Sequence, residues 1–429
     1  MKNLLDFICG IHKYSTDSRI AVYAEMRNVD DFVVEEILRD GTVLTVDNPK
    51  LKHSGYTGLF THFVLVKKNL DTFVALRILS RRLGVPPHHI FLSGLKDKEA
   101  ITVQRACVFG IPPDRLERIE LPSKLRIFSP TRELRRVFIG DHWGNRFTVR
   151  LWYVRGSLND IVDTLSKQPL LNFYGHQRFG LWKPINHIVG KMILQKRYED
   201  ALIVFLREIN PLFRSRNLFL DLLEDKKYDE ALSLLPPKKF WFERYILKEF
   251  SRGRSADRIL RRIPLSLLRL MVEAYQSFIF NLLLSELESP PPKLPLVGYR
   301  IDNENMNGPT RKILNEILDA ENILPKLFRM KNLKLEITRG GFRKSIIRVK
   351  DIAIFKNKYH YAIRFSLPKG SFATIVLREI VKENLLWLLL GRKRSQYGDL
   401  IRLCHDMLVY YKKIVSRYYV GRHLKNFAT

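Results

Sequence analysis

A chain of 429 residues with 46% hydrophobic and 28% charged side chains can bury several cores, which excludes a disordered polypeptide and argues for roughly two or three domains. Lys and Arg outnumber Asp and Glu by 74 to 44, a formal charge of +30, so the expected partner is a polyanion. Apolar runs such as "NLLWLLLG" (384–391) fall far short of the ~20 residues that cross a bilayer, so no membrane attachment is expected.

Asp6 interrupts the short apolar patch at the amino terminus and no cleavage site follows, so no export signal is read. The three cysteines, Cys9, Cys107 and Cys404, are odd in number and far apart. They suggest neither a disulfide framework nor a zinc knuckle, and a reducing, cytoplasmic setting fits.

Residues 20–155 read as mixed α and β, beginning with strand-like runs at 31–38 ("DFVVEEIL"), 41–46 ("GTVLTV") and 61–68 ("THFVLVKK"). A helix is expected over about 71–83, with Phe73, Val74, Ile78 and Leu79 on its apolar face, Asn69 or Asp71 as its cap and Gly84 as its stop. Strands resume at 90–94, 101–110 and 146–154, the last with Phe147, Val149, Leu151 and Tyr153 on one face by strict alternation. Connections this short and varied predict an α+β fold with a mixed, largely antiparallel sheet.

From about 185 to 285 the period becomes helical. "KRYEDAL" (196–202) is echoed by "KKYDEAL" (226–232), which reads as two similar helices rather than a solenoid. The prolines of "ESPPPKLP" (288–295) cannot be helical and mark a connection. Strand-like sequence returns at 333–355 and 359–377, and a basic, amphipathic stretch follows to the end. This β, α, β order suggests a mixed domain interrupted by a helical one.

For chemistry, no Walker, GxGxxG or GxSxG pattern is present, and the adjacent His88 and His89 lack metal-ligand spacing. "GLKDKEA" (94–100) is the most concentrated polar stretch beside strands. By itself Asp97 reads as a solvated turn residue, a metal ligand, or a carboxylate kept ionised by Lys96 and Lys98 for work at a sugar. "NFYGHQRFG" (172–180) supplies amides that can read a base edge, aromatics that can stack on its face and Arg178 for a phosphate, or it is an aromatic turn packed on the core. "LPKGSFAT" (367–374) places Phe372 after a Gly in similar style.

These stretches, in this order, resemble the TruD family of tRNA pseudouridine synthases, in its archaeal and eukaryotic-like branch. The resemblance runs through Asp31–Glu36 ("DFVVEE"), Gly94–Gln104, Asn172–Gly180 and Leu367–Thr374, with "AYQSFIFN" (274–281) and "LPLVGY" (294–299) also familial. It implies a pseudouridine-synthase catalytic domain at 1–204 and 341–382, an inserted, mainly helical α/β domain at 205–340 and a basic helical extension at 383–429. It implies Asp97 as the catalytic aspartate, attacking the nucleotide while uracil is detached, turned and rejoined through carbon. Phe32, Asn172, Tyr174 and Phe372 are implied to line the pocket for the flipped base, with Lys96, Gln104 and Arg178 as further substrate contacts. The implied partner is tRNA, modified at uridine 13 and in the tyrosine-tRNA anticodon by a monomer without cofactor or metal.

Two departures stand out. Phe173-Tyr174 replaces the usual pair and brings a hydroxyl to the stacking position. Met26 stands where the family often has a lysine, with Arg27 beside it as a substitute cation. A catalytically impaired, basic tRNA-binding chaperone of the same fold is the alternative, and a metal-dependent nuclease lacks the second carboxylate cluster it needs.

Overall fold

The fold is given by a computed structural model that describes residues 3–17, 22–51, 57–237, 240–300, 306–330, 335–336, 339–392 and 399–419. Its contacts form two compact units. A sheet unit comprises Ser15–Leu170 and Ile347–Leu400, and a helical unit comprises Met1–Tyr14, Leu171–Ile346 and Ile401–Thr429.

The sheet unit is built on nine strands: β1 (Tyr23–Glu25), β2 (Phe32–Ile37), β3 (Phe60–Lys68), β4 (Ile90–Leu92), β5 (Ile101–Phe109), β6 (Leu125–Glu133), β7 (Gly144–Arg155), β8 (Lys350–Lys356) and β9 (His360–Pro368). The path through the sheet is β8, β9, β7, β2, β5, β3, β6, with β1 on β7 and β4 on β5. β2 and β5 run parallel and the other pairs antiparallel, so the sheet is mixed and largely antiparallel as expected. Its register matters for the site: Asn145 on β7 faces Glu36 on β2 and Leu367 on β9. Those positions lie at one end of the sheet, where "LPKGSFAT" leaves β9.

Several local expectations change. The helix Thr72–Leu83 starts on Asp71, whose carboxylate accepts from the Phe73 and Val74 amides, and stops at Gly84 with φ +67°. It buries Thr72, Ala75, Leu79 and Leu83, however, and leaves Phe73 and Val74 exposed at 58% and 42%. "GTVLTV" makes only a bridge between Val43 and Ile37: the Leu44 amide bonds the Glu36 backbone carbonyl, and the pairing goes no further because the Glu35 carboxylate takes the Val46 amide. In β7 the alternation holds through Phe147, Val149 and Leu151 and breaks at Tyr153, which takes φ +54° near a bulge against β1 and turns outward. β6 was not expected; it is an edge strand carrying Pro130, and proline demotes a strand reading.

In the helical unit the 22-residue helix Leu265–Glu286 is the core. It is the one helix among the described residues long and apolar enough to cross a membrane, but 78% of its apolar window is buried inside the protein. The helix Asn186–Leu194 packs on it, and Tyr198–Arg207 packs on Asn186–Leu194. A Cβ at Gly190 would lie 2.1 Å from the Met271 carbonyl oxygen, so only glycine permits that approach. This packing draws 186–204 into the helical unit, whose contacts run from Leu171 to Ile346. The sequence echo has a structural counterpart: Lys196 (φ +62°) and Lys226 (φ +57°) form the same left-handed step into the helices Tyr198–Arg207 and Tyr228–Ser233.

The expected extension is divided as well. Leu385–Gly391 stays with the sheet unit, whereas Leu400–Tyr418, from Ile401 on, packs in the helical unit through Leu403, Met407, Tyr411 and Ile414. Of the segments read from sequence, 333–334, 337–338, 393–398 and 420–429 lie outside the described residues.

Candidate active site

Asp97 sits on the loop between β4 and β5, and side chains from the surrounding elements grip that loop by its backbone. Lys67, at the end of β3, donates its ammonium to the carbonyls of Lys96 (3.2 Å) and Asp97 (2.5 Å). The Thr72 hydroxyl also reaches the Lys96 carbonyl (3.1 Å), and the Gln104 amide reaches that of Gly94 (3.2 Å). On the far side, the Arg392 guanidinium donates to the Glu99 carbonyl at 2.8 Å. A short polar loop would otherwise be free to move; this one is held from both flanks.

The Lys96 side chain turns inward. Its ammonium meets Glu36 at 3.2 Å and bonds the Asn145 amide oxygen, with Lys96 and Glu36 only 4% and 0% exposed. Glu36 also accepts from the Ser93 hydroxyl and the Arg105 amide. Lys96, expected from sequence to contact substrate, is here engaged by Glu36 and Asn145, which the β2–β7 register places opposite each other. Gln104, fully buried, is likewise occupied with the loop.

Asp97 keeps access to solvent, but the protein crowding it removes enough hydration that its carboxyl is raised above the ordinary carboxylate range. Arg392, Lys67 and Lys96, in that order, pull it back down, and Glu99 adds to the rise. Lys98, expected as a flanking cation, is simply exposed. Burial in turn pulls Lys67 down to about 8, with Asp97 and Asp71 opposing the change. One consequence is measurable: Lys67→Met removes a positive charge, so Asp97 rises further. The acid limb of a pH–rate profile should move to higher pH by about one unit, and an unmoved limb would show that Lys67 does not act on Asp97.

Phe32 is 3% exposed and packs on Phe147 with centroids 6.0 Å apart, while the Arg392 guanidinium lies 5.3 Å over its ring. Arg27, the expected substitute cation, lies instead over Trp152 (5.0 Å) and Tyr153 (5.7 Å). Phe372 is half-buried at the start of the helix Ala373–Val381, after the turn at Gly370 (φ +81°).

Asn172, Tyr174 and Arg178 gather in the helical unit around Arg343, which sequence reasoning missed. The Arg343 guanidinium stacks 4.0 Å over the Tyr174 ring and donates to the Asn172 side-chain oxygen at 3.0 Å. Asn172, 4% exposed, donates to the Lys344 carbonyl at 2.9 Å, so both ends of its amide are engaged. Asn281 bonds both the amide and the carbonyl of Tyr174, fixing its backbone. Arg178 pairs with Glu273 at 2.9 Å and donates to Ser277 at 3.2 Å.

The mixed sheet thus carries Asp97 on a loop anchored through its backbone carbonyls and flanked by the buried side chains of Lys67 and Lys96. A family model described as tRNA pseudouridine synthase D (TruD) matches residues 9–290 and 288–380. "Probable tRNA pseudouridine synthase D 1" of Methanocaldococcus jannaschii is 30% identical over 87% of this chain and 99% of its own. A Methanopyrus kandleri relative, "Probable tRNA pseudouridine synthase D", is 34% identical over 78% of this chain and 88% of its own. A solved TruD structure from Methanosarcina mazei shares the fold, with a TM-score of 0.64 at 24% identity, covering 88% of this chain and 98% of that one. The chain belongs to the TruD family of tRNA pseudouridine synthases.

Proposed function

We propose that this enzyme isomerises uridine to pseudouridine at position 13 of tRNA, with the tyrosine-tRNA anticodon as a second target, and that Asp97 is its nucleophile. The observation carrying this reading is the anchored loop: its carbonyls are held by Lys67, Thr72, Gln104 and Arg392, while the carboxylate of the exposed Asp97 makes no hydrogen bond or ion pair among the described residues.

The chemistry asks for such a group. Breaking the bond between ribose and uracil builds positive charge on the sugar, which a carboxylate stabilises or bonds to. The uracil, held in place, turns and rejoins the ribose through C5 while any bond from the carboxylate to the sugar breaks, and the proton lost from C5 is matched by one gained at N1. Because the base must leave its stack to be reached, the aromatic groups Phe32 and Phe372 of the sheet unit have a defined task in receiving it. The enzyme works as a cytoplasmic monomer, without metal.

The charge of +30 implies many phosphate contacts. Affinity for tRNA should therefore fall about a thousandfold or more between roughly 50 and 200 mM salt, measured by filter binding. A flat salt dependence would count against RNA as the partner. Position is tested by mapping pseudouridine in unmodified transcripts after incubation with the enzyme: product at uridine 13, lost when that uridine is replaced by cytidine, supports the reading, and product only at other positions overturns it.

A further inference from the structure

The helix Leu385–Gly391 follows the last residue matched by the family model and delivers one charged side chain to the Asp97 loop. It is seated against β1 and the residue after it: the Trp387 indole donates to Glu25 at 3.0 Å, and Gly391 lies so close to Met26 that a Cβ there would stand 2.3 Å from the Met26 carbonyl oxygen. The next residue is Arg392. Its guanidinium covers the face of Phe32 at 5.3 Å and bonds the carbonyl of Glu99, two residues beyond Asp97. Its Nε is buried with no hydrogen-bond partner among the described residues, so this cation is not locked into a two-pronged carboxylate pair.

We propose that Arg392 is a positioning residue for the reaction at Asp97: stacked on Phe32 and bonded to the Glu99 carbonyl, it holds the loop two residues beyond Asp97 and brings a positive charge to the loop that carries the reacting carboxylate. The proposal rests on the reading of Asp97 as nucleophile. Met26, fully buried, offers no charge at this place, and Arg27 is directed to Trp152 and Tyr153, so the cation comes from the carboxy-terminal helix. The charged groups acting on Asp97 are Arg392, Lys67, Lys96 and, in the opposite sense, Glu99. Burial pulls the Arg392 guanidinium down, and Glu99, Asp97 and Asp31 oppose the change. Among the cations on Asp97, Arg392 has the largest effect, and a guanidinium starts so far above an ammonium that it stays charged where Lys67, at about 8, loses its own.

The test compares single-turnover rates on tRNA from pH 5 to 9 for the full-length wild type, Arg392→Gln and Arg392→Lys, with thermal melts alongside. Arg392→Gln should slow the reaction about a hundredfold at neutral pH, move the acid limb up by about one unit and leave KM for tRNA nearly unchanged. Arg392→Lys should return the limb to its wild-type place and recover most of the rate. A limb unmoved in Arg392→Gln overturns the proposal, as does a loss confined to KM or a limb that lysine fails to restore; melts taken at each pH separate a shifted limb from acid unfolding. The parent reading fails separately: if Asp97→Asn remains active, Asp97 is not the nucleophile, whereas an inactive Asp97→Asn with an unaffected Arg392→Gln sinks only the role of Arg392.

Discussion

Replacing Asp97 with Asn should lower turnover on tRNA by roughly four orders of magnitude or more, with tRNA affinity unchanged or slightly tighter. The amide matches the carboxylate in shape but carries no charge, cannot attack as an anion and cannot balance positive charge on a ribose. Binding should not suffer, because the change removes a negative charge from a surface that receives a polyanion. The anchors of the loop are backbone carbonyls of residues 94, 96, 97 and 99, none of which depends on the Asp97 carboxylate. Stability should therefore stay close to wild type. An Asp97→Asn protein that turns over at near the wild-type rate would remove Asp97 from the chemistry altogether.

Glu36→Ala should be the most damaging single change to the fold of the site, lowering stability by about 3–5 kcal/mol. Glu36 is fully buried and joins the Lys96 ammonium, the Ser93 hydroxyl and the Arg105 amide. Without it, Lys96 keeps a charge in a place with little access to water. Such a loss takes a large share of the ~5–15 kcal/mol that stabilises an ordinary domain. Removing the orphaned charge as well, in Glu36→Leu with Lys96→Met, should recover part of the loss, since a buried pair exchanged for apolar groups often comes out near neutral. Urea titrations of the two variants decide it: a Glu36→Ala midpoint indistinguishable from wild type would mean that this network does not hold the loop.

Much of the site was legible because its motifs are local. Asp97, Phe32 and Phe372 lie on short stretches at strand ends or turns, where residue type and spacing carry the signal. Their supports are tertiary. Lys67 carried a usable hint: alternation along β3 places it on the same face as Phe63 and Leu65, both buried in one core cluster, and a lysine extending an apolar face calls for a buried partner. Glu36 gave a similar sign by following Val34 on its face of β2. Arg392 gave none, because "GRKRS" reads as a solvated charge run and only the seating of Gly391 on Met26 brings it inward.

The fold shows the same division. Strongly alternating strands and the capped helix after Asp71 were readable, whereas β6, with its proline and its bulge against β3, was not. The extent of each unit is hidden for a related reason: periodicity announces a helix but not its packing partner, and the glycine contact between Gly190 and Met271 is invisible in sequence.

The most direct test of the account is tritium release from tRNA carrying [5-³H]uridine, with chain length followed on a denaturing gel. Wild-type enzyme should release tritium from intact chains without added divalent metal, and Asp97→Asn should bind the same tRNA and release none. Equal release by both proteins, or magnesium-dependent cleavage of the chain in place of release, would contradict it.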